Sequence, residues 1–392
     1  MSFVYFFMKL FPTDRNKVVF ISRQSNKPGE DFLALESRLR QLKPEIHIVM
    51  VTQRIDPSPK SVCAFAWATL RSMYHLATSR VCVLDAFWPA ASMLRHKKEL
   101  AIIQLWHAMG KIKQSGYQAL GKEYGRASAV AHAMKMHEGY DVVIAGGRAF
   151  NPFYCASFGV DESILYNVGL PRMDLLREGV SRAHESFFAR YPELKGKKLV
   201  LYAPTFRKHE ILDPTELIRA FGDSEDRVLI IKRHPNQKLK FDDVSPALTC
   251  EDVPTSTVLS VCDCVITDYS AITIEAALLN KPVYFYLFDY EEYLSRNGLN
   301  VKLFEEFPDN TFTDPEKLIA CIDGGEYDLE NYKRFCEKYL PDLSGRATDK
   351  IADLIIGCME TNKHDAICSR LSKQNKAGGA VDNEDTVCAG SL

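Results

Sequence analysis

Short runs rich in β-branched residues recur along this chain, with helix-like segments between most of them. KVVFIS (17–22), IHIVMVT (46–52), VCVLD (81–85), LAIIQLW (100–106), DVVIAGG (141–147) and SILYNVG (163–169) form one set. KLVLYAPT (198–205), RVLIIKRHP (227–235), DCVITD (263–268) and PVYFY (282–286) form a second. Continuous apolar runs without polar alternation suit strands covered on both faces, and helices between successive strands suit parallel crossovers. The predicted class is therefore α/β, with doubly wound parallel sheets. A chain of 392 residues is long for one core. The polar stretch ARYPELKGKK (189–198), with Pro192 and Gly196, reads as a linker between two Rossmann-like halves facing across a cleft. The expected boundaries are 1–190, 191–361 and a mobile tail over 362–392, where small polar residues replace periodic apolar ones.

Charge excludes one large class of partner. Lysine plus arginine number 49 against 51 aspartates and glutamates, so no general positive field exists to hold nucleic acid. An anionic ligand has to be met locally. Eleven scattered cysteines, without paired metal-ligand spacing, read as reduced thiols of a cytoplasmic protein rather than zinc ligands or disulfides. The start, MSFVYFFMKLF, is apolar but far too short to span a bilayer. It reads as a first packing segment, with an interfacial membrane foot as the alternative.

Ligands of doubly wound sheets gather outside the carboxyl ends of the strands, and the distinctive polar segments here fall at such ends. QLWHAMGKIKQSGY (104–117) delivers Trp106 and His107 to a strand tip, followed by Gly110, Lys111 and Lys113. A histidine there can take a proton, and the lysines can hold phosphate. LYAPTFR (201–207) ends a strand with Thr205 and Arg207; IIKRHP (230–235) ends its neighbour with Lys232, Arg233, His234 and Pro235. In ITDYS, Thr267, Asp268, Tyr269 and Ser270 lead into a helix that carries Glu275. Such residues cap a helix, or leave its amides to a phosphate.

Taken in order and spacing, QLWHAMG, LYAPTFR, KRHP and TDYSAITIEAALLNKPVYFY, with VGLPRMDLL (168–176) and LSGRATDKIADLI (343–355), resemble the CDP-glycerol glycerophosphotransferase family, whose members build teichoic acids and related phosphopolyol polymers. The resemblance spans roughly residues 17–357. It implies a GT-B fold with the nucleotide held mainly by the C-terminal half. It also implies transfer of a polyol phosphate, glycerol phosphate first, from CDP-glycerol or CDP-ribitol to a hydroxyl of a lipid-linked or polymeric acceptor. CMP is released, and no metal or other cofactor is required.

The family's histidine after tryptophan falls on His107 and its histidine before proline on His234, the expected catalytic pair. Thr205, Arg207, Lys232, Arg233, Pro235, Thr267, Asp268, Tyr269, Ser270 and Glu275 become the expected donor side; Gly110, Lys111 and Lys113 become the acceptor or phosphate side. Two positions depart from the family pattern: Ala108 stands where glycine is usual, and Met173 where asparagine is usual. Peripheral placement on the inner face of a bacterial membrane follows from a lipid-borne acceptor. Eight basic residues between 95 and 135, against two acids, are the expected contact. A UDP-sugar glycosyltransferase or epimerase of the same fold, and a catalytically silent nucleotide-binding subunit, are the alternative readings.

Overall fold

The computed structural model describes residues 1–207, 211–234, 237–239, 248–325 and 327–379. The first half holds six strands: β1 (Lys17–Ser22), β2 (His47–Thr52), β3 (Val81–Leu84), β4 (Ala101–Gln104), β5 (Val142–Ile144) and β6 (Leu165–Tyr166). They lie in the order β2-β1-β3-β4-β5-β6 and every pairing is parallel. The second half has β7 (Lys198–Tyr202), β9 (Arg227–Ile231), β11 (Cys264–Thr267), β12 (Val283–Tyr286) and β13 (Thr311–Phe312), parallel in the order β13-β12-β11-β7-β9. A two-stranded parallel ribbon, β8 (Ile211–Leu212) with β10 (Lys238–Leu239), lies beside them.

Both sheets start the same way. The first strand of each is flanked by its second on one side and its third on the other, so the chain winds outward in opposite directions from the β1/β3 boundary and from the β7/β11 boundary. Such switch points leave a crevice at the carboxyl ends of the two central strands. The apolar runs account for the placement: Val18 to Ile21, Val81 to Leu84 and Val142 to Ile144 are all fully buried, since helices cover both faces.

The chain crosses between the halves twice, which shifts the predicted boundaries. The helix Val180–Arg190, assigned above to the first half, packs on the helix Thr255–Val261 of the second. The helix Ala347–Glu360, assigned to the second half, instead buries Ile351, Leu354, Ile355 and Cys358 against Glu30–Leu42, Pro171–Glu178 and β3 of the first. Two of the distinctive motifs meet here. Asp174 of VGLPRMDLL accepts from the amides of Ala347 (3.1 Å) and Thr348 (2.7 Å) and from the Thr348 hydroxyl (2.6 Å), capping the helix that LSGRATDKIADLI begins.

The tail expectation needs correction within the described residues, because Lys363–Gly379 is a helix. Its anchors are mainly polar, so apolar periodicity did not mark it. Lys363 Nζ donates to Asp141 Oδ1 and the Leu100 carbonyl, each at 2.8 Å, while only a short apolar patch at Ala366 and Ile367 is buried. The N-terminal segment packs through part of its surface only, with Tyr5 in the core and Met8 against it. In the helix Ser2–Met8 only Tyr5 is buried, its hydroxyl 2.7 Å from His96 Nδ1.

Candidate functional site

A cavity of about 310 Å³ is lined by residues of both halves. Lys113, Gln114 and Tyr124 line it from the first half, and Pro204, Thr205, Phe206, His234, Ser270, Tyr293 and Asn297 from the second. Four of the predicted residues, Lys113, Thr205, His234 and Ser270, therefore share one space. The Thr205 hydroxyl is buried without a hydrogen-bond partner, an acceptor and donor left for a ligand. The Lys113 carbonyl accepts from Asn300 Nδ2 at 3.3 Å, but its ammonium makes no hydrogen bond or ion pair among the described residues, and burial holds it below the usual lysine range. The His234 ring stacks beside Phe206 at 5.2 Å; burial first, then the Lys113 charge, lowers its pKa.

Several predicted donor ligands have other work. Arg207 is buried: its Nη1 lies 2.5 Å from Asp268 and its Nε and Nη2 each lie 2.9 Å from Asp289, so the guanidinium is committed to two carboxylates. Burial opposes the charge, but Asp268 and Asp289 raise the arginine pKa above its ordinary value. Asp268, fully buried, also accepts from the Thr205 amide at 2.9 and 3.0 Å. This ties the tip of β7 to the tip of β11. Tyr269 is buried in a stack on Tyr293 (4.0 Å, 16°) with its hydroxyl on Asp289 (3.1 Å), and Thr267 donates to the Ala203 carbonyl (2.7 Å). Of the polar cluster, Ser270 alone lines the cavity. The rest shape its floor.

The KRHP tip divides similarly. Lys232 Nζ donates to the carbonyls of Cys250 and Val253, both at 2.8 Å, and Arg233 to the Gln237 carbonyl at 3.0 Å and Glu251 at 3.4 Å. Both brace the following loop instead of facing the cavity. Pro235 lies outside the described residues.

His107 leaves β4 through Trp106, whose φ of 63° is left-handed and costs a non-glycine residue about 1 kcal/mol or more. The turn is held by the Gln104 side chain, which accepts from the Trp106 amide at 2.9 Å, and the two rings lie 4.0 Å apart. Nδ1 of His107 is 3.1 Å from the Asp85 carbonyl, which can only accept, so Nδ1 carries the proton and Nε2 keeps its lone pair. The Gln24 amide lies 2.9 Å from the same Nδ1, compatible once its oxygen faces the ring. Burial depresses the imidazole to about 3, so it stays neutral near pH 7. Beside it Asp85 has a buried, unpartnered Oδ1, and burial raises its carboxyl to about 6. His107 does not line the cavity that holds His234.

The remaining predictions separate by burial. Lys111 is inside an aromatic box, 4.0 Å from Phe158 and 4.4 Å from Trp106, donating to Ser115 at 3.0 Å; burial pushes its pKa well down. Its ammonium is spent inside the loop, on Ser115, Ser157 and the surrounding rings. Gly110 is a contact point between halves, where a Cβ would stand 2.9 Å from Ile274 and from Phe150. Glu275 faces a different cavity, of about 490 Å³, with Glu30, Arg172 and Ser256, and burial raises its carboxyl to about 6. The basic stretch 95–135 is likewise no single surface, since Lys97 bonds the Phe11 carbonyl and Lys111 is interior.

Gln24, Asp85, Gln114, Asp289, Tyr293 and Asn297 were not singled out from sequence. For Asp85 and Asp289 the signal existed: each follows an apolar strand, in VCVLD and PVYFYLFD, as Asp268 follows its own.

Comparison with known proteins places this geometry. A sequence model of CDP-Glycerol:Poly(glycerophosphate) glycerophosphotransferase matches residues 3–357. A teichoic acid ribitol-phosphate primase of Bacillus spizizenii is 30% identical over 361 residues, 88% of this chain and 92% of the primase. A teichoic acid glycerol-phosphate primase of Bacillus subtilis is 25% identical over 345 residues, 86% of this chain and 84% of the relative. Among solved structures, the wall teichoic acid polymerase TagF superposes with a TM-score of 0.70 at 18% identity, covering 95% of this chain and 94% of that one, a likeness of GT-B fold. With a match over nearly its whole described length, and with both halves lining one cavity, the chain belongs to the CDP-glycerol:poly(glycerophosphate) glycerophosphotransferase family.

Proposed function

We propose that this chain transfers a polyol phosphate from CDP-glycerol or CDP-ribitol to a hydroxyl of a lipid-linked or polymeric acceptor, as the related primases do in teichoic acid synthesis. The observation that carries this reading is the shared cavity, where Lys113, His234, Thr205 and Ser270 offer two nitrogen groups and two hydroxyls to a diphosphate. In the reaction the acceptor oxygen attacks the β-phosphorus, the bond from that phosphorus to the bridging oxygen breaks, and CMP departs with that oxygen. His107 Nε2 takes the hydroxyl proton. Lys113 and His234 meet the charge on the phosphoryl oxygens, which is where such transfers gain most. Neutralisation by protein groups alone, without a divalent ion, is part of the proposal; unchanged turnover in EDTA supports it and loss restored by magnesium overturns it.

The deciding experiment supplies CDP-glycerol, CDP-ribitol and UDP-sugars with a teichoic acid primer and identifies the nucleotide released. CMP is the expected product. Release of UDP overturns the reading in favour of a glycosyltransferase. His107→Ala is expected to abolish transfer while CDP-polyol still binds.

The membrane contact proposed with it rests on an aromatic face. Phe3 (78% exposed), Phe6, Phe7 and Leu10 are exposed on the N-terminal segment, and the helix Pro59–Thr78 that it packs on exposes Val62, Trp67 (69%), Leu70 and Tyr74. No acid occurs in residues 1–13 or 57–84, whereas Lys9, Lys60 and Arg71 do, so an anionic lipid surface is the complementary partner. No helix among the described residues is long and apolar enough to cross a membrane. Sedimentation with phosphatidylglycerol vesicles, lost in Phe3→Glu/Trp67→Glu, is expected; equal sedimentation of both proteins removes the proposal. Placement at the cytoplasmic face of a bacterial membrane goes with this reading.

A further inference from the structure

We propose that Arg23 and Arg126 form an anion site that holds a phosphate ester of the acceptor, close to its attacking hydroxyl, so that the chain extends ends already phosphorylated. Both guanidiniums approach the Phe87 ring, with Cζ 5.9 Å from its centroid for Arg23 and 5.5 Å for Arg126. Neither makes a hydrogen bond or an ion pair among the described residues. This is unlike the chain's other partly or fully buried arginines beside the cleft: Arg172 is held by Asp31, Arg207 by Asp268 and Asp289, and Arg296 by Glu123 and Glu292. Two planar forks side by side without a carboxylate match a phosphate, which can accept from both.

Position ties the pair to the reaction. Arg23 follows the tip of β1 and Phe87 the tip of β3, at the switch point of the first sheet. Gln24, adjacent to Arg23, contacts His107 Nδ1, as does the carbonyl of Asp85, two residues before Phe87. Asp85 and the Tyr140 hydroxyl lie near enough to favour the Arg23 charge, but neither is bonded to it; burial raises the Asp85 carboxyl to about 6. Burial and then the Arg126 charge bring Arg23 down to about 10, as expected for like charges awaiting an anion. None of these residues lines the donor cavity, so the acceptor phosphate and the donor diphosphate occupy separate cationic sites, one beside the histidine and one around Lys113.

The inference rests on the transferase reading, and one experiment separates the two. Release of CMP from the CDP-polyol is measured with two acceptors on the same carrier, one ending in a phosphopolyol and one lacking that unit, for the wild type, Arg23→Gln, Arg126→Gln and the lysine variants at both positions. The expected result is a rise of about tenfold or more in KM for the phosphorylated acceptor in each glutamine variant. Donor KM and the low activity on the other acceptor stay as in the wild type, and lysine restores part of the loss. Equal loss on both acceptors, or no loss on either, overturns the anion site while leaving CMP release intact. Absence of CMP release from the wild type overturns the transferase reading instead; competition by glycerol 3-phosphate in calorimetry, lost in the glutamine variants, still reports on the arginines alone.

Discussion

Arg207 and Asp268 form a buried ion pair, Nη1 2.5 Å from Oδ2, that fastens two strand tips together beneath the donor cavity. Side chains that a strand-end rule marks as phosphate ligands are here the base on which the ligands stand. Removing one partner of such a pair strands the other charge and costs about 3–5 kcal/mol. Asp268→Asn is therefore expected to lower the urea unfolding free energy by about that amount. Arg207→Lys is expected to do nearly the same, because an ammonium cannot bridge Asp268 and Asp289 together. A fully stable Asp268→Asn protein with impaired donor binding would place Asp268 among the ligands after all.

Thr205 offers the opposite combination. Its hydroxyl is buried without a partner, so Thr205→Val removes an unsatisfied group and keeps the shape. Stability is expected to hold or rise slightly, while KM for the CDP-polyol rises about tenfold or more. Thermal melts with and without CDP-polyol check both halves of this statement.

Lys111 and Lys113 are two residues apart and are expected to behave differently on replacement. Lys113→Met is expected to weaken donor binding about tenfold or more with little change in melting temperature, because its ammonium faces the cavity unpaired. Lys111→Met leaves an apolar side chain among Trp106, Tyr154 and Phe158, and donor KM is expected to stay within about twofold.

Glu275 gives a pH prediction with a definite sign. Its carboxyl is raised from 4.5 to about 6, so the fold binds a proton that the unfolded chain has lost. The stability it contributes is complete below pH 4.5 and disappears as pH climbs through 6. Relative to Glu275→Gln, the wild type should lose melting temperature across that window. His107 acts the other way: lowered from 6.5 to about 3, it contributes stability above pH 6.5 that is lost on acidification toward 3.

Asp174 fastens the returning helix Ala347–Glu360 to the first half through three acceptor contacts at the helix start. Asp174→Ala is expected to cost about 1–2 kcal/mol as a lost cap, and more if the buried amides find no water. Limited proteolysis should then open the chain near residue 346 first.

Strand positions were legible because burial on both faces writes itself into unbroken runs such as VVFI and VCVL. The cavity was legible in part: Thr205, His234 and Ser270 follow strands, and strand ends converge in this topology. Illegible from residue type alone was which cation is consumed by an internal acceptor. Lys232 reaches two backbone carbonyls and Arg207 two acids, and those partners lie 18 to 82 positions away. The helix Lys363–Gly379 escaped for a related reason, its anchors being a lysine, a glutamine and two small apolar contacts instead of a periodic stripe.

The return of Ala347–Glu360 to the first sheet bears on how the protein is made. Phe32, Leu35 and Leu39 of an early helix share a core with Ile351, Leu354 and Ile355. During synthesis the early half emerges first, yet one flank of its core stays open until residues 347–360 have left the ribosome. The nascent first half must therefore wait, with an apolar flank bare, through the time taken to translate the entire second half. A chaperone bound to that flank, or rapid translation between the two segments, is the cellular provision such a chain order calls for.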